Sequence, residues 1–176
     1  MSELGPGLSP EVLGQIDGLS AKLSQAGKIA CHGVGREGLM MRALAMRLFH
    51  LGLPAHVVGD MTTPPVGQGD VLFVSAGPGH FGTIDALRKT AQDAGATVLC
   101  ITAEAEGAVP RAADHVVVLP AQTMASDQAG AATSVLPMGS LFEAMMFLFF
   151  ELVVLDLRDR IGATPDAMRA RHTNLE

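Results

Sequence analysis

The sequence predicts an α/β fold: one domain, a three-layer α/β/α sandwich around a five-stranded parallel sheet. Three observations predict it. Five short runs are continuously apolar rather than alternating, as expected of strands covered on both faces. Segments of helical spacing alternate with these runs, which implies right-handed strand–helix–strand crossovers. Glycine-rich loops follow the first and third runs, the strands that flank the ligand-binding switch point of a sheet ordered 2-1-3-4-5. The length of 176 residues fits one domain. A hydrophobic share of 48% against 17% charged residues excludes a disordered chain.

Each element has its own local reason. Ser9, Pro10 and Glu11 supply a hydroxyl cap, a first-turn proline and an acid at the positive helix end. Val12, Leu13, Ile16, Leu19 and Leu23 follow at helical spacing, so one helix is expected over 9–26. Lys28 to His32 is the first strand, GVGREG the loop after it, and Leu39 to Leu51 a helix stopped by Gly52. Ala55 to Val58 and Asp70 to Ser75 are the second and third strands. The loop AGPGHFGT leads into a helix from Ile84 to Ala94. Thr97 to Thr102 is the fourth strand, Val109 to Ala113 a short helical turn, and His115 to Leu119 the fifth strand. The stretch from Ala121 to Pro137 has no period and reads as a long loop, of the length that functional loops have. Gly139 to Ile161 is a long helix, apolar almost all round, to be buried in the core or in a subunit interface. The tail carries Pro165 near another helix start.

Composition excludes several classes of function. Twelve basic and eighteen acidic residues leave a charge of −6 without any Lys/Arg block, which excludes nucleic-acid and anionic-membrane surfaces. With no Trp or Tyr there is little to stack on bases. No signal peptide is expected, and Ala144 to Leu155, broken by Glu151, is too short to span a bilayer. Cys31 and Cys100 fall inside strands and read as buried thiols of a reducing compartment, so the cytoplasm is expected.

A glycine loop between a parallel strand and a helix offers backbone N–H groups and the positive helix end to an anion. GVGREG also fits Gly-x-Gly-x-x-Gly, with Asp60 about twenty residues on, so a dinucleotide domain has to be weighed. Against it stand the bulky charged pair Arg36-Glu37, where a pyrophosphate would approach, and the lack of a second domain for a hydride acceptor.

GVGREGLMMRALAMRLFHLG, VVGDMTTP, GSLFE and RARHTNLE together resemble the 6-phospho-3-hexuloisomerases of the sugar isomerase (SIS) domain superfamily, from about Lys28 to Glu176. The resemblance implies a five-stranded SIS fold assembled as a homo-oligomer, tetramer or dimer. It implies interconversion of hex-3-ulose 6-phosphate and fructose 6-phosphate through an enediolate, with no metal or nucleotide cofactor. Gly33, Gly35, Arg36, Gly77, Gly79, His80 and Thr83 become the expected substrate-binding residues. The chain departs from the pattern at Glu37, where the family has Ser, and over Ala76 to Phe81, where the family reads Ser-Gly-Ser-Gly-Glu-Thr. The phosphate-holding hydroxyls are gone, Pro78 lacks an N–H, and a carboxylate at Glu37 repels phosphate unless paired, for instance with Arg36. A substrate other than the standard one, or a non-catalytic SIS sensor of sugar phosphates, therefore stands beside the isomerase reading.

Two residues are expected to carry the chemistry. Glu143 opens the long apolar helix, where desolvation raises a carboxylate's pKa, and it matches the family's base. His172 matches the family's Arg-His motif and can shuttle a proton to oxygen, reaching across a subunit interface. His80 and, less directly, His32 lie near the same crevice. No ligand spacing supports a metal site from His32, His80 and Glu143, and none is expected. The six apolar residues from Met145 to Phe150 exceed what one sheet-facing helix hides, so an obligate oligomer is expected.

Overall fold

The computed structural model describes residues 8–128 and 134–175. Its elements are α1 (Pro10–Leu13), α2 (Ile16–Gln25), β1 (Ile29–His32), α3 (Gly35–Leu51), β2 (Ala55–Val57) and β3 (Val71–Ser75). There follow α4 (Gly82–Asp93), β4 (Thr97–Thr102), α5 (Ala108–Arg111), β5 (His115–Val118), α6 (Ser140–Ile161) and α7 (Pro165–Ala170). All strand pairs are parallel, in the order β2-β1-β3-β4-β5. That is the expected sheet.

The central strands explain why their sequences are continuously apolar. Phe73, Leu99 and Ile101 point into the core shared with α2, α3 and α6. Their neighbours Leu72, Val74, Val98 and Cys100 point into a second core under α4 and α5. Side chains alternate between faces with period two, and both faces are dry.

Most boundaries shift by one or two residues; two differences go further, and both have local causes. The expected helix over 9–26 is two helices. Gly14 caps α1, and Gln15 turns its side-chain amide onto the edge strand β5, donating to Val118 O at 2.9 Å and accepting from Val118 N at 2.8 Å. That pairing satisfies a sheet edge, which outweighs continuing the helix. The second difference matters more. Helix α3 begins at Gly35, not at Leu39, so Arg36 and Glu37 stand in its first turn instead of in a loop. Successive helical side chains diverge by about 100°, so these two neighbours face different surroundings.

The predicted overflow of α6 is partial. Met145, Met146, Phe149 and Phe150 are buried, whereas Phe147 and Leu148 remain on the surface. Among the described residues no helix is long and apolar enough to cross a membrane.

Candidate active site

Loop β1–α3 is tight because its glycines press on one another. A Cβ at Gly33 would stand 2.9 Å from Gly38 N, and Gly35 sits at φ +58°, in the left-handed region. This close approach accounts for the first and last glycines of GVGREG without a dinucleotide. The second loop is clamped to the end of β4: Thr102 Oγ1 donates to Ala76 O at 2.7 Å, and Ala103 N donates to Gly77 O at 3.0 Å. Gly79, at φ +82°, lies so close to Gly107 that a Cβ would come within 2.9 Å of its Cα.

Between these loops, at the carboxyl ends of β1 and β3, lies a cavity of about 600 Å³. Gly35, Arg36 and Glu37 of α3 line it, with Pro78 and Phe81 of the second loop. Thr123, Met124 and Ala125 of the loop after β5 close one side, and Met138, Gly139, Phe142 and Glu143 at the start of α6 close the other. The walls are largely apolar, and the charges are few and convergent.

Arg36 and Glu143 form the polar centre. Arg36 Nη2 lies 2.9 Å from Glu143 Oε2, and Arg36 Nη1 donates to Ser140 Oγ at 2.9 Å. Arg36 Nη2 also reaches Met138 O. Met138 holds a left-handed backbone at φ +60°, unusual for a residue with a Cβ and of the kind found at functional sites. Gly139 follows at φ +76° and packs directly on Met124, which pins the long loop to the start of α6. Burial pushes the Glu143 carboxyl above its ordinary range; Arg36 pulls it back only in part, and the Glu37 charge adds to the rise.

Glu37 does not pair with Arg36. Its carboxylate turns beneath the second glycine loop, where it is 7% exposed, accepts the Gly77 N–H at 3.0 Å and takes the Ser75 hydroxyl hydrogen. Burial raises its pKa against the pull of those two donors. Because the folded state holds that proton more tightly than the unfolded one, this group favours folding fully below the ordinary carboxylate range. Its contribution is lost as pH rises through the raised value.

The remaining expected site residues divide clearly. Gly33 lines a small cavity of about 130 Å³ adjoining Gly35, together with His32. Burial lowers the pKa of His32. Gly77 packs against Glu37 and the Phe142 ring, and neither it nor Gly79 lines the main cavity. His80 and Thr83 are exposed at the start of α4 and do not line the main cavity. His172 is at the other end of the molecule. Its ring lies 5.3 Å from that of His50, near the C-terminal end of α3, whereas the cavity is at the N-terminal end. At 1.5 Å per residue the separation along α3 is about 20 Å, so His172 cannot reach the cavity of its own chain. Among the described residues no group of three His, Cys, Asp or Glu is placed to hold a metal ion.

Several cavity residues escaped the sequence reading. Thr123 to Ala125 lie in the segment recognised only as a long loop. Met138 precedes GSLFE and Phe142 lies within it without having been singled out; the left-handed Met138-Gly139 pair was the missed signal. Residues 129–133 of the loop lie outside the described residues.

Comparison with known proteins agrees with this geometry. The SIS domain family matches residues 22–148. A 3-hexulose-6-phosphate isomerase from Mycobacterium gastri is 36% identical over 92% of this chain and 80% of its own length. One from Bacillus subtilis is 33% identical over 92% of this chain and 87% of its own length. The crystal structure of a hypothetical protein from Methanococcus jannaschii, for which a 3-hexulose-6-phosphate isomerase function was inferred, superimposes with a TM-score of 0.85 at 28% identity. That match covers 99% of this chain and 98% of the other. The chain belongs to the SIS domain family and is an isomerase within it.

Proposed function

We propose that the protein isomerises a sugar phosphate of the hex-3-ulose 6-phosphate type, as one SIS domain in the cytoplasm, with Glu143 as the general base. One observation carries this reading: a half-buried carboxylate of raised pKa lies beside a single arginine in the switch-point cavity of a chain with 3-hexulose-6-phosphate isomerase relatives. Glu143 takes the proton from the carbon next to the carbonyl, and the electron pair moves to give an enediolate. The hydroxyl proton passes to the former carbonyl oxygen and the same carboxyl returns the carbon-bound proton to the adjacent carbon, so the carbonyl has moved and no electron is lost. Arg36 leaves Glu143 for the anionic substrate, which frees the base as substrate enters.

A thermal-shift comparison tests the ligand class. Fructose 6-phosphate is expected to raise the melting point, and fructose at the same concentration is not. No response to any phosphate ester would count against the reading, and binding without detectable isomerisation would favour a sensor.

The Arg36–Glu143 pair gives a pH prediction. Activity requires ionised Glu143, so kcat/KM is expected to fall as pH drops through a pKa above the ordinary carboxylate range. Arg36→Met removes the cation that holds this pKa down, and the acid limb should move upward. A limb that stays put or moves downward would show that the titrating group is not Glu143.

The same reading includes a homo-oligomer. Leu39 (57% exposed), Met46 and Phe49 (52%) form one face of α3, beside Phe147 (47%) and Leu155 on α6. An apolar hollow of about 490 Å³ between Leu39 and Phe147 shares Arg36 and Glu143 with the cavity. A second copy laid antiparallel across this face would close the site from outside and bring the C-terminal end of its own α3, with His172 beside it, near the site. Sedimentation is expected to give a mass well above the 18.3 kDa of one chain. Phe147→Asp should shift it towards monomer, and a wild-type monomer at micromolar concentration would refute this part of the reading.

A further inference from the structure

The two glycine loops meet through one side chain. Glu37 lies in the first turn of α3 and reaches under the loop that follows β3. Its Oε2 takes the Gly77 N–H and the Ser75 hydroxyl, both buried. Gly77 is the residue that makes room: a Cβ there would stand 2.7 Å from Glu37 Oε1 and 2.8 Å from the Phe142 ring.

The backbone donors from Ala76 to Gly79 are accounted for in turn. Ala76 N–H donates to Ile101 O at 2.9 Å, Gly77 N–H to Glu37, and Gly79 N–H to Ala76 O at 2.8 Å. Pro78 has none. A strand-to-helix glycine loop is ordinarily a cradle of N–H groups for an anion. Here every donor from Ala76 to Gly79 is committed within the chain, and one is committed to a carboxylate. A phosphate arriving between Ala76 and Gly79 would find each N–H group of that stretch already committed and a like charge directly behind it.

We propose that Glu37 is a specificity-determining residue: a resident anion that fills the tip of the second glycine loop. The loop tip therefore does not take a ligand's phosphate, and Arg36 carries the anionic contact of the cavity. The proposal selects sugar phosphates that present their phosphate near Arg36 rather than between the two loops. It rests on the sugar-phosphate reading for that ligand class alone, because the donor arrangement is a property of the chain.

Titration calorimetry with inorganic phosphate, at neutral pH and fixed low ionic strength, tests it on the wild type, Glu37→Gln and Glu37→Ser. Glu37→Ser opens the tip and removes the charge, and it is expected to bind phosphate at least tenfold more tightly than the wild type. Glu37→Gln removes only the charge, keeps the shape, and should bind about threefold more tightly. Circular dichroism and a cooperative melt establish that each variant is folded. If Glu37→Ser does not fold, Glu37→Gln decides. Folded variants that bind phosphate no better than the wild type would overturn the proposal. No turnover is measured, so failure of the isomerase reading would leave this result intact.

Discussion

Glu143→Gln is expected to lower kcat by a factor on the order of 10²–10⁴, the range that a positioned general base contributes. The glutamine keeps the size of the side chain and its contact with Arg36, and it cannot accept the substrate proton. Ligand affinity should change little, or improve where Arg36 no longer has to leave an ionised partner. Steady-state kinetics with hex-3-ulose 6-phosphate, paired with thermal shift, separates the two effects. A variant retaining a tenth or more of wild-type kcat would remove Glu143 as the base. The same measurement separates enzyme from sensor, since a sensor has no kcat to lose.

The second large effect concerns His172. In its own chain this residue is about 20 Å from the cavity along α3, so any part in the reaction must be played on a neighbour's substrate. His172→Asn is then expected to lower kcat on the order of 10²-fold with a smaller change in KM. Mixing supplies the decisive form. Glu143→Gln subunits and His172→Asn subunits are each nearly inactive alone. Co-refolded in equal amounts, they should recover about one quarter of the wild-type sites, because each site draws one residue from each of two chains. No recovery in a verified mixed oligomer would mean that His172 does not act across an interface. Deleting Arg169 to Glu176 is a poorer test. Arg171 donates to His50 O at 3.2 Å, and its guanidinium packs on Gly52 at the end of α3. The truncation therefore costs stability, roughly 1 kcal/mol for the lost hydrogen bond alone, as well as the imidazole.

How legible the molecule was follows from the range over which each cause acts. The five strands and their order come from local apolar runs and from the rule that parallel strands need crossovers, and both are visible in one dimension. Helix α3 shows the limit. In the sequence Arg36 and Glu37 fall inside the glycine-rich run GVGREG, and the Leu-, Met- and Ala-rich helical segment begins only at Leu39. The loop is in fact closed by the contact between Gly33 and Gly38, which carries the helix back to Gly35. Two turns of spacing cannot reveal that contact. The error had a chemical consequence: a loop allows Arg36 and Glu37 to pair, whereas a helical turn sends one to Glu143 and the other to Gly77. Thr123 and Met124 were unreadable for a different reason. They are held in place by Gly139, fifteen or so residues on, and no periodicity connects them. Glu143, by contrast, was legible because a single acid opening an apolar helix has few places to put its charge.

If this chain forms an enediolate across two adjacent carbons of a sugar phosphate, with Glu143 moving the proton, carbon-bound hydrogen must exchange with solvent. The direct test is proton NMR of fructose 6-phosphate incubated with the protein in D2O. An enediolate between carbons 2 and 3 exposes the carbon-3 proton to Glu143, and a carboxyl open to solvent exchanges it. The account predicts progressive loss of the carbon-3 proton signal with the wild type and none with Glu143→Gln. Retention of every carbon-bound proton with active, folded protein, or equal loss in the variant, would contradict it.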